Sequence, residues 1–357
     1  MARSILISGL GACGKTLISY GLLVKFREEG LNVTFFKPVT SAGKRIITEE
    51  MNVDVDVLAM KKALMLDEEL DTLSPCPIPD RYLELHSKRE ETIPKILKCF
   101  EEVSSGKDLV IIEGRSYPEH MMSIGLSDPE VAQALNSKMI LLAKYEGDFV
   151  VDQLLLYRDF IRERNVEVIG VIFNSVPIEM LRRLNDTVNP YLERMGMSVI
   201  GVIPEETRLI SPSVREISEV LRAEVLEGEE YLNGPVEDIL CGAMSPEAAL
   251  KWFRRATNAL LVTGGDRTDL ILTALETKPS AIVLTGNLFP AVKVLTAARE
   301  KRVPILLVPY DTYTTIEMIG EVQSVVTAQS LKRKHQIILD AIEKYVDWRR
   351  ILNEALK

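Results

Sequence analysis

A chain of 357 residues, 46% of them hydrophobic, with a mean hydropathy of +0.08, is long enough for two cores and is not the composition of a disordered segment. The 52 acidic residues against 43 basic ones leave a formal charge of −9, which argues against a general nucleic-acid or anionic-membrane surface. Cys13, Cys76, Cys99 and Cys241 form no C-x-x-C pair and His86, His120 and His335 are scattered, so neither a zinc site nor a disulfide framework is expected.

The first element is the apolar run at residues 4–8, read as a buried strand. It leads directly into Gly9-Leu10-Gly11-Ala12-Cys13-Gly14-Lys15-Thr16, which fits G-x-x-x-x-G-K-[ST] without a mismatch, and residues 17–26 then carry apolar side chains at helical spacing. Glycines let the backbone curl so that its N–H groups face phosphate oxygens, and the helix N-terminus adds partial positive charge. Lys15 is expected to neutralise the terminal phosphates and Thr16 to hold Mg²⁺, with Leu17 closing the cofactor-binding stretch. The bland alternative is a glycine-rich strand-to-helix turn with no ligand. Cys13 needs no redox role, because the backbone does the gripping.

Further strands are expected at 32–36, 109–112, 138–142, 166–173 and 198–203, alternating with helices at 54–66, 82–103, 128–135, 148–164 and 178–195. This alternation predicts an α/β fold of the P-loop NTPase kind: a mostly parallel sheet, helices on both faces, and the ligand at the carboxyl ends of the strands. Acidic residues leading into Asn233-Gly234-Pro235 suggest a boundary, placing a first domain at 1–222. A second, smaller α/β domain at 223–329 has strands at 259–262, 281–284 and 305–308 and helices at 267–275, 291–300 and 314–325. Residues 330–357 read as one long helix whose apolar stripe packs on the chain's own core or on a twin subunit. No stretch approaches the roughly 20 apolar residues of a membrane span, and glycines with Lys15 cut the N-terminal apolar run, so no signal peptide and a cytoplasmic location are expected.

Several residues fall on the first sheet's ligand edge. Lys37 stands at a strand end before Pro38, which sets the chain direction and aims the lysine into the cleft; otherwise it is a solvated loop residue. Asp54 and Asp56 open a helix, as Mg²⁺ ligands or as caps. Glu113 follows an apolar strand, and a carboxylate there requires Mg²⁺ or a cationic side chain as partner. Asn174 ends another strand, where its amide could read a purine ring or form a turn.

These motifs, with Lys37-Pro38-Val39-Thr40-Ser41, Asp56-Val57-Leu58-Ala59, Asn174-Ser175-Val176-Pro177 and Gly201-Val202-Ile203-Pro204, make residues 1 to about 222 resemble dethiobiotin synthetase and its relatives. The resemblance implies that Lys15 and Thr16 serve ATP and Mg²⁺, that Asp56 and Glu113 bind Mg²⁺, that Lys37 helps bind the carbamate being activated, and that Asn174 contacts adenine. Arg115-Ser116-Tyr117-Pro118-Glu119-His120 stands where that family carries a small, glycine-rich stretch shaping the organic-substrate pocket. Arg115 is therefore expected to recharge or fill that space, and with Lys37 and Ser41 it is a candidate for binding a small carboxylate.

The second domain carries Thr263-Gly264-Gly265-Asp266-Arg267-Thr268-Asp269, Leu284-Thr285-Gly286-Asn287 and Pro309-Tyr310-Asp311, and resembles a DRTGG domain. Asp266, Arg267, Thr268 and Asp311 are the regulatory candidates, as ligand or interface groups or as turn and cap residues. The two-domain order resembles the N-terminal regulatory region of long bacterial phosphate acetyltransferases, without the acyltransferase domain. The resulting expectation is a homo-oligomeric ATP/Mg²⁺-binding protein that senses a nucleotide or metabolite. The alternatives are an ATP-dependent carboxylate- or carbamate-activating ligase, with Lys15 and Lys37 as catalytic residues, and a scaffold with a degenerate site.

Overall fold

The computed structural model describes residues 2–41, 45–47, 52–78, 81–83, 89–322 and 326–357, side chains at 41, 45–47, 52, 53, 89, 90, 210, 321 and 322 excepted. The chain divides into two compact units, Met1–Glu206 with Val326–Lys357, and Thr207–Val325.

Strands of the first unit are β1 (Arg3–Gly9), β2 (Val33–Phe36), β3 (Val39–Ser41), β4 (Arg45–Ile47), β5 (Asn52–Asp54), β6 (Cys76–Ile78), β7 (Leu109–Glu113), β8 (Lys138–Ala143), β9 (Val168–Val176) and β10 (Val199–Pro204). Six of them form one sheet in the order β10-β9-β8-β1-β7-β2, parallel throughout. Consecutive residues Ile5, Leu6 and Ile7 of β1 are all at most 1% exposed, as are Leu109 to Ile112 of β7, so both faces of the sheet are covered. Each such side chain contributes about 1.5–3 kcal/mol relative to exposure. β1 lies inside the sheet: the chain passes from it to β2 on one side and returns from β7 across it to β8 on the other, and this reversal of strand order opens a crevice at its carboxyl end. The short pairs β3·β6 (parallel) and β4·β5 (antiparallel) lie outside this sheet.

The helix expected over 178–195 is interrupted. A 3-10 turn, Ile178–Met180, leads through Leu181–Arg183 into a π-helical turn, Leu184–Val188, before α-helix resumes at Asn189–Arg194. Pro190 has no N–H to give residue 186 and its ring crowds that carbonyl, which favours the wider turn just before it.

The C-terminal segment is two helices, Ala328–Tyr345 and Trp348–Leu356, rather than one. Between them Val346 is extended and bridges antiparallel to Gly201, covering part of the β10 edge. The first of the two packs on the helix Lys15–Glu28 and on the helix Val55–Leu64. Gly21 permits this approach: a Cβ there would lie 2.6 Å from Ile342 Cγ1 and 2.8 Å from Ile338 Cγ2. Tyr20 Oη and His335 Nδ1 are 2.9 Å apart, and Lys25 pairs with Glu343 at 3.0 Å. The apolar stripe thus meets the chain's own first helix.

In the second unit β11 (Glu224–Glu227), β12 (Ile239–Cys241), β13 (Leu260–Gly264), β14 (Ala281–Thr285) and β15 (Ile305–Leu307) form a mixed sheet in the order β11-β15-β14-β13-β12, with β11 alone antiparallel. Alternate residues face two cores: Leu261, Ile282, Leu284, Ile305 and Leu307 line one, Leu260, Val262, Val283, Leu306 and Val308 the other. Val214, Ile217 and Leu221 belong to the second of these cores. The division therefore falls after Glu206 and not at 222, because the helix Val214–Leu221 buries its apolar face in the second sheet's core. β11 lies in the acidic stretch read as a boundary; its charges suit an edge strand, and Glu227 pairs with Arg299 at 2.7 Å. Among the described residues no helix is long and apolar enough to cross a membrane.

Candidate functional site

The phosphate-loop sequence sits where its spacing predicts, between the end of β1 and the helix Lys15–Glu28. Gly11 (φ 80°) and Gly14 (φ 84°) adopt left-handed backbone that only glycine takes without strain. Gly14 is the helix N-cap and supplies no side-chain cap, and the first turn carries no acid, so the opening amides and the positive helix end remain available to an anion. The loop is fastened on both sides. Leu10 N–H donates to Leu142 O of β8 at 2.8 Å, and Gly11 N–H to Ser116 O beyond β7 at 2.7 Å. Lys15 folds back over the loop, with Nζ 3.5 Å from Gly11 O. Cys13 is buried, and burial pushes its thiol up. Thr16 is buried at the second helical position, Leu17 is half-buried, and Ala12 is exposed at the tip.

The second half of the site is a buried charge cluster. Lys37 Nζ lies 3.1 Å from Asp54 Oδ1, 2.7 Å from Asp56 Oδ2 and 3.1 Å from Glu113 Oε1. All four side chains are at most 8% exposed. Among the described side chains three carboxylates meet one ammonium, and charges buried in this way need partners. Burial opposes the charge on Lys37, yet Glu113, Asp56 and Asp54 together hold its pKa well above the ordinary lysine value. Burial raises the Glu113 carboxyl, Lys37 draws it down, Asp56 pushes it up, and Lys15 is near enough to lower it. Glu113 Oε2 is buried without a hydrogen-bond partner. An orphaned carboxylate oxygen and an all-oxygen donor set fit a hard dication such as Mg²⁺. The fit is incomplete as the side chains stand: among the described residues no three His, Cys, Asp or Glu side chains are grouped to hold a metal. The carboxylates converge on the ammonium instead.

Asp54 has a second task. It caps the helix Val55–Leu64, accepting from the Asp56 and Val57 amides at 2.9 and 3.1 Å, and so serves as both cap and ion-pair partner.

Asn174 and Arg115 have partners inside the fold. Asn174 is buried, and its Nδ2 donates to Cys13 O at 2.9 Å, fastening the end of β9 to the phosphate loop. Arg115 is 5% exposed and turned into the fold: it pairs with Asp128 at 3.2 Å and donates to Leu126 O. The charge expected to alter an organic-substrate pocket is spent on Asp128. The side chain of Ser41 lies outside the described residues.

Asp128 itself was not singled out from sequence. It accepts from Ser8 Oγ at 2.5 Å and from the Arg115 amide at 2.9 Å, so one buried carboxylate ties the end of β1 to the residue after Glu113-Gly114. A Cβ on Gly114 would meet Asp128 Oδ2 at 2.3 Å, so glycine is required there. The sequence signal was ambiguous: Ser127 and Glu130 form a capping box, and an acid between them reads as an ordinary first-turn residue.

In the second unit, Arg267 donates to Gly242 O at 3.2 Å and Met244 O at 2.9 Å, pinning the loop after β12. Asp311 accepts from the Tyr313 and Thr314 amides at 2.9 and 3.1 Å and caps the helix Thr312–Val322. Thr268 opens the helix Thr268–Leu275, and Asp266 precedes it in the turn after β13.

Comparison with known proteins agrees with this layout. Residues 3–213 match the AAA domain family, and residues 216–322 match the DRTGG domain. The chain is 25% identical over 355 residues to the phosphate acetyltransferase of Pseudomonas putida, an alignment covering 94% of this chain and 49% of that protein. It spans about half the length of the phosphate acetyltransferases it matches. To the ATP-dependent dethiobiotin synthetase BioD of Akkermansia muciniphila it is 26% identical over 185 residues, 50% of this chain and 80% of that one. Among solved structures, the CBS and DRTGG domains of the regulatory region of Clostridium perfringens pyrophosphatase align at 19% identity with a TM-score of 0.30, covering 49% of this chain and 71% of that one. With a phosphate loop, a parallel sheet built around it and a match across most of the first unit, the chain belongs to the AAA domain family, in a dethiobiotin synthetase-like P-loop form followed by a DRTGG domain.

Proposed function

We propose that the first unit binds ATP with Mg²⁺ and that the protein is a nucleotide or metabolite sensor, its second unit serving as a regulatory or assembly module in a cytosolic homo-oligomer. One observation carries this reading: an uncapped phosphate loop whose Lys15 lies within electrostatic reach of Glu113, a buried carboxylate with an orphaned oxygen beside two further acids. In this reading the backbone of residues 9–16 holds the phosphates and Lys15 offsets their charge. Thr16, Asp56 and Glu113 would hold Mg²⁺, which, when bound, neutralises phosphate oxygens. Asn174 keeps the loop in shape through Cys13 O, and Asp128 keeps β1 and Glu113 in register.

The ligase reading asks Lys37 and Arg115 to receive an organic acid. Lys37 is engaged by three carboxylates and Arg115 by Asp128, which supports the sensing reading over the ligase. Titration calorimetry with ATP and Mg²⁺ should give saturable binding to the wild type, weakened at least tenfold in Lys15→Ala. Equal or absent binding in both proteins defeats the proposal. Phosphate release stimulated by one member of a panel of small carboxylic acids would move the assignment to the ligase.

A further inference from the structure

We propose that Tyr117 is a ligand-binding residue of the phosphate loop: its phenol hydroxyl donates to the outermost phosphate of the bound nucleotide, so that the site prefers a nucleoside triphosphate to the diphosphate. This rests on the reading that the first unit binds ATP, and adds which end of that ligand is recognised and by what group.

Three observations carry it. First, Tyr117 stands against the loop itself. A Cβ built on Gly11 would lie 3.4 Å from Tyr117 Oη and 3.9 Å from its Cζ, so the hydroxyl rests beside the space that a side chain at position 11 would take. Second, Lys15 flanks the same residue, with Nζ 3.5 Å from Gly11 O. In a loop of this kind the backbone amides before the helix hold the inner phosphates and the lysine reaches the outer ones, so a hydroxyl beside Gly11 belongs to the outer end. Third, the hydroxyl is uncommitted. Among the described residues none is hydrogen-bonded to Tyr117 Oη, and the residue is 44% exposed, so its O–H is available as a donor.

The segment that presents Tyr117 is fastened on both sides of it. Ser116 O accepts from the Gly11 amide at 2.7 Å, and Pro118 O accepts from the Asp128 amide at 3.0 Å. Glu119 is hydrogen-bonded to the phenol of Tyr157, which is 7% exposed. Arg115 turns inward to Asp128, so within this stretch it is the tyrosine and not the arginine that meets the loop. A hydroxyl carried at the tip of a rigid ring on a fastened segment loses little freedom when it binds, and a hydrogen bond to a charged phosphate oxygen is of the stronger kind. ADP lacks the phosphate that this hydroxyl reaches.

The test uses the full chain with Mg²⁺ present throughout. Titration calorimetry compares ATP and ADP in wild type and Tyr117→Phe, which removes the hydroxyl alone. ATP binding should weaken about tenfold or more and ADP binding less than about twofold. In parallel, hydroxyl-radical footprinting of the wild type, read by mass spectrometry, should show Tyr117 protected several-fold by saturating ATP, with Tyr313 of the second unit, 70% exposed, as the reference. This second arm decides the matter if Tyr117→Phe does not fold. Unchanged ATP affinity in a folded variant, equal losses for ATP and ADP, ADP bound as tightly as ATP by the wild type, or no protection of Tyr117 overturns the proposal, while wild-type binding of ATP keeps the nucleotide site. Absence of ATP binding by the wild type removes the nucleotide site and the role of Tyr117 together.

Discussion

Replacing Gly21 by alanine tests whether the C-terminal helix is part of the phosphate-binding unit. In an exposed helix this change would stabilise by about 1 kcal/mol, because glycine is the weaker helix former. Here the new Cβ would lie 2.6 Å from Ile342 Cγ1, 2.8 Å from Ile338 Cγ2 and 3.3 Å from Ile342 Cδ1, where carbon atoms ordinarily rest at about 3.5–4.0 Å. Ile342 is 0% and Ile338 2% exposed, so neither can swing into solvent. Overpacking of this kind costs about 1–3 kcal/mol, and overlaps near 1 Å on two side chains belong at its upper end. The net expectation for Gly21→Ala is a loss of about 1–2 kcal/mol despite the better helix propensity. Ile342→Ala alone should cost about 2–5 kcal/mol through the cavity it leaves. In the double variant the methyl group enters that cavity, so the two losses should fall short of additivity by at least about 1 kcal/mol. Urea unfolding followed by tryptophan fluorescence reads the right region, since Trp348 is 2% exposed in the C-terminal pair and Trp252, in the second unit, is 53% exposed. Stabilisation by Gly21→Ala, or additivity within about 0.5 kcal/mol, would refute the docking.

Other consequences are as direct. Gly265→Ala would place a Cβ 1.7 Å from Leu288 O, a backbone atom that no rotamer change can move, so the loops after β13 and β14 must separate. A loss of about 3 kcal/mol or more from the second unit is expected, and an unchanged thermal transition would contradict it. Burial pushes the Cys76 thiol up to about 11, so only about one in a thousand is thiolate at pH 8, rising tenfold per pH unit below that value. Alkylation at pH 8 should therefore spare Cys76 while modifying exposed Cys241, and Cys76 should react about tenfold faster at pH 9. Comparable rates for both at pH 8 would show that Cys76 is not held in the buried state.

Much of the first unit was legible from local pattern. A glycine-rich loop between an apolar run and a helical one has a single economical geometry, and strand-helix alternation then forces a parallel sheet with its ligand edge at the strand ends. Lys37 and Glu113 were placed at that edge from their positions at strand ends and Asp56 was picked out as the opening of a helix, and the three side chains meet. What local pattern could not supply was partnership. Nothing near Arg115 says that its charge is taken by Asp128, because the contact depends on how the segment after β7 folds back on itself. Nothing around Asp54 says that a helix cap also grips a lysine in the link after β2. The acids at 224–230 read as a boundary because composition cannot tell a solvated loop from the charged edge of a sheet.

By itself, then, the sequence determined the elements, their order and which chain edge would carry the phosphate chemistry, since those follow from periodicity and backbone preference within a few residues. Only the tertiary structure decided who neutralises whom. It assigned Lys37 to three carboxylates, Asn174 to the phosphate loop and residues 328–345 to the helix behind that loop. Burial removes water as the default partner of every charge, so each group must take what the fold brings near, and proximity in three dimensions has no local signature.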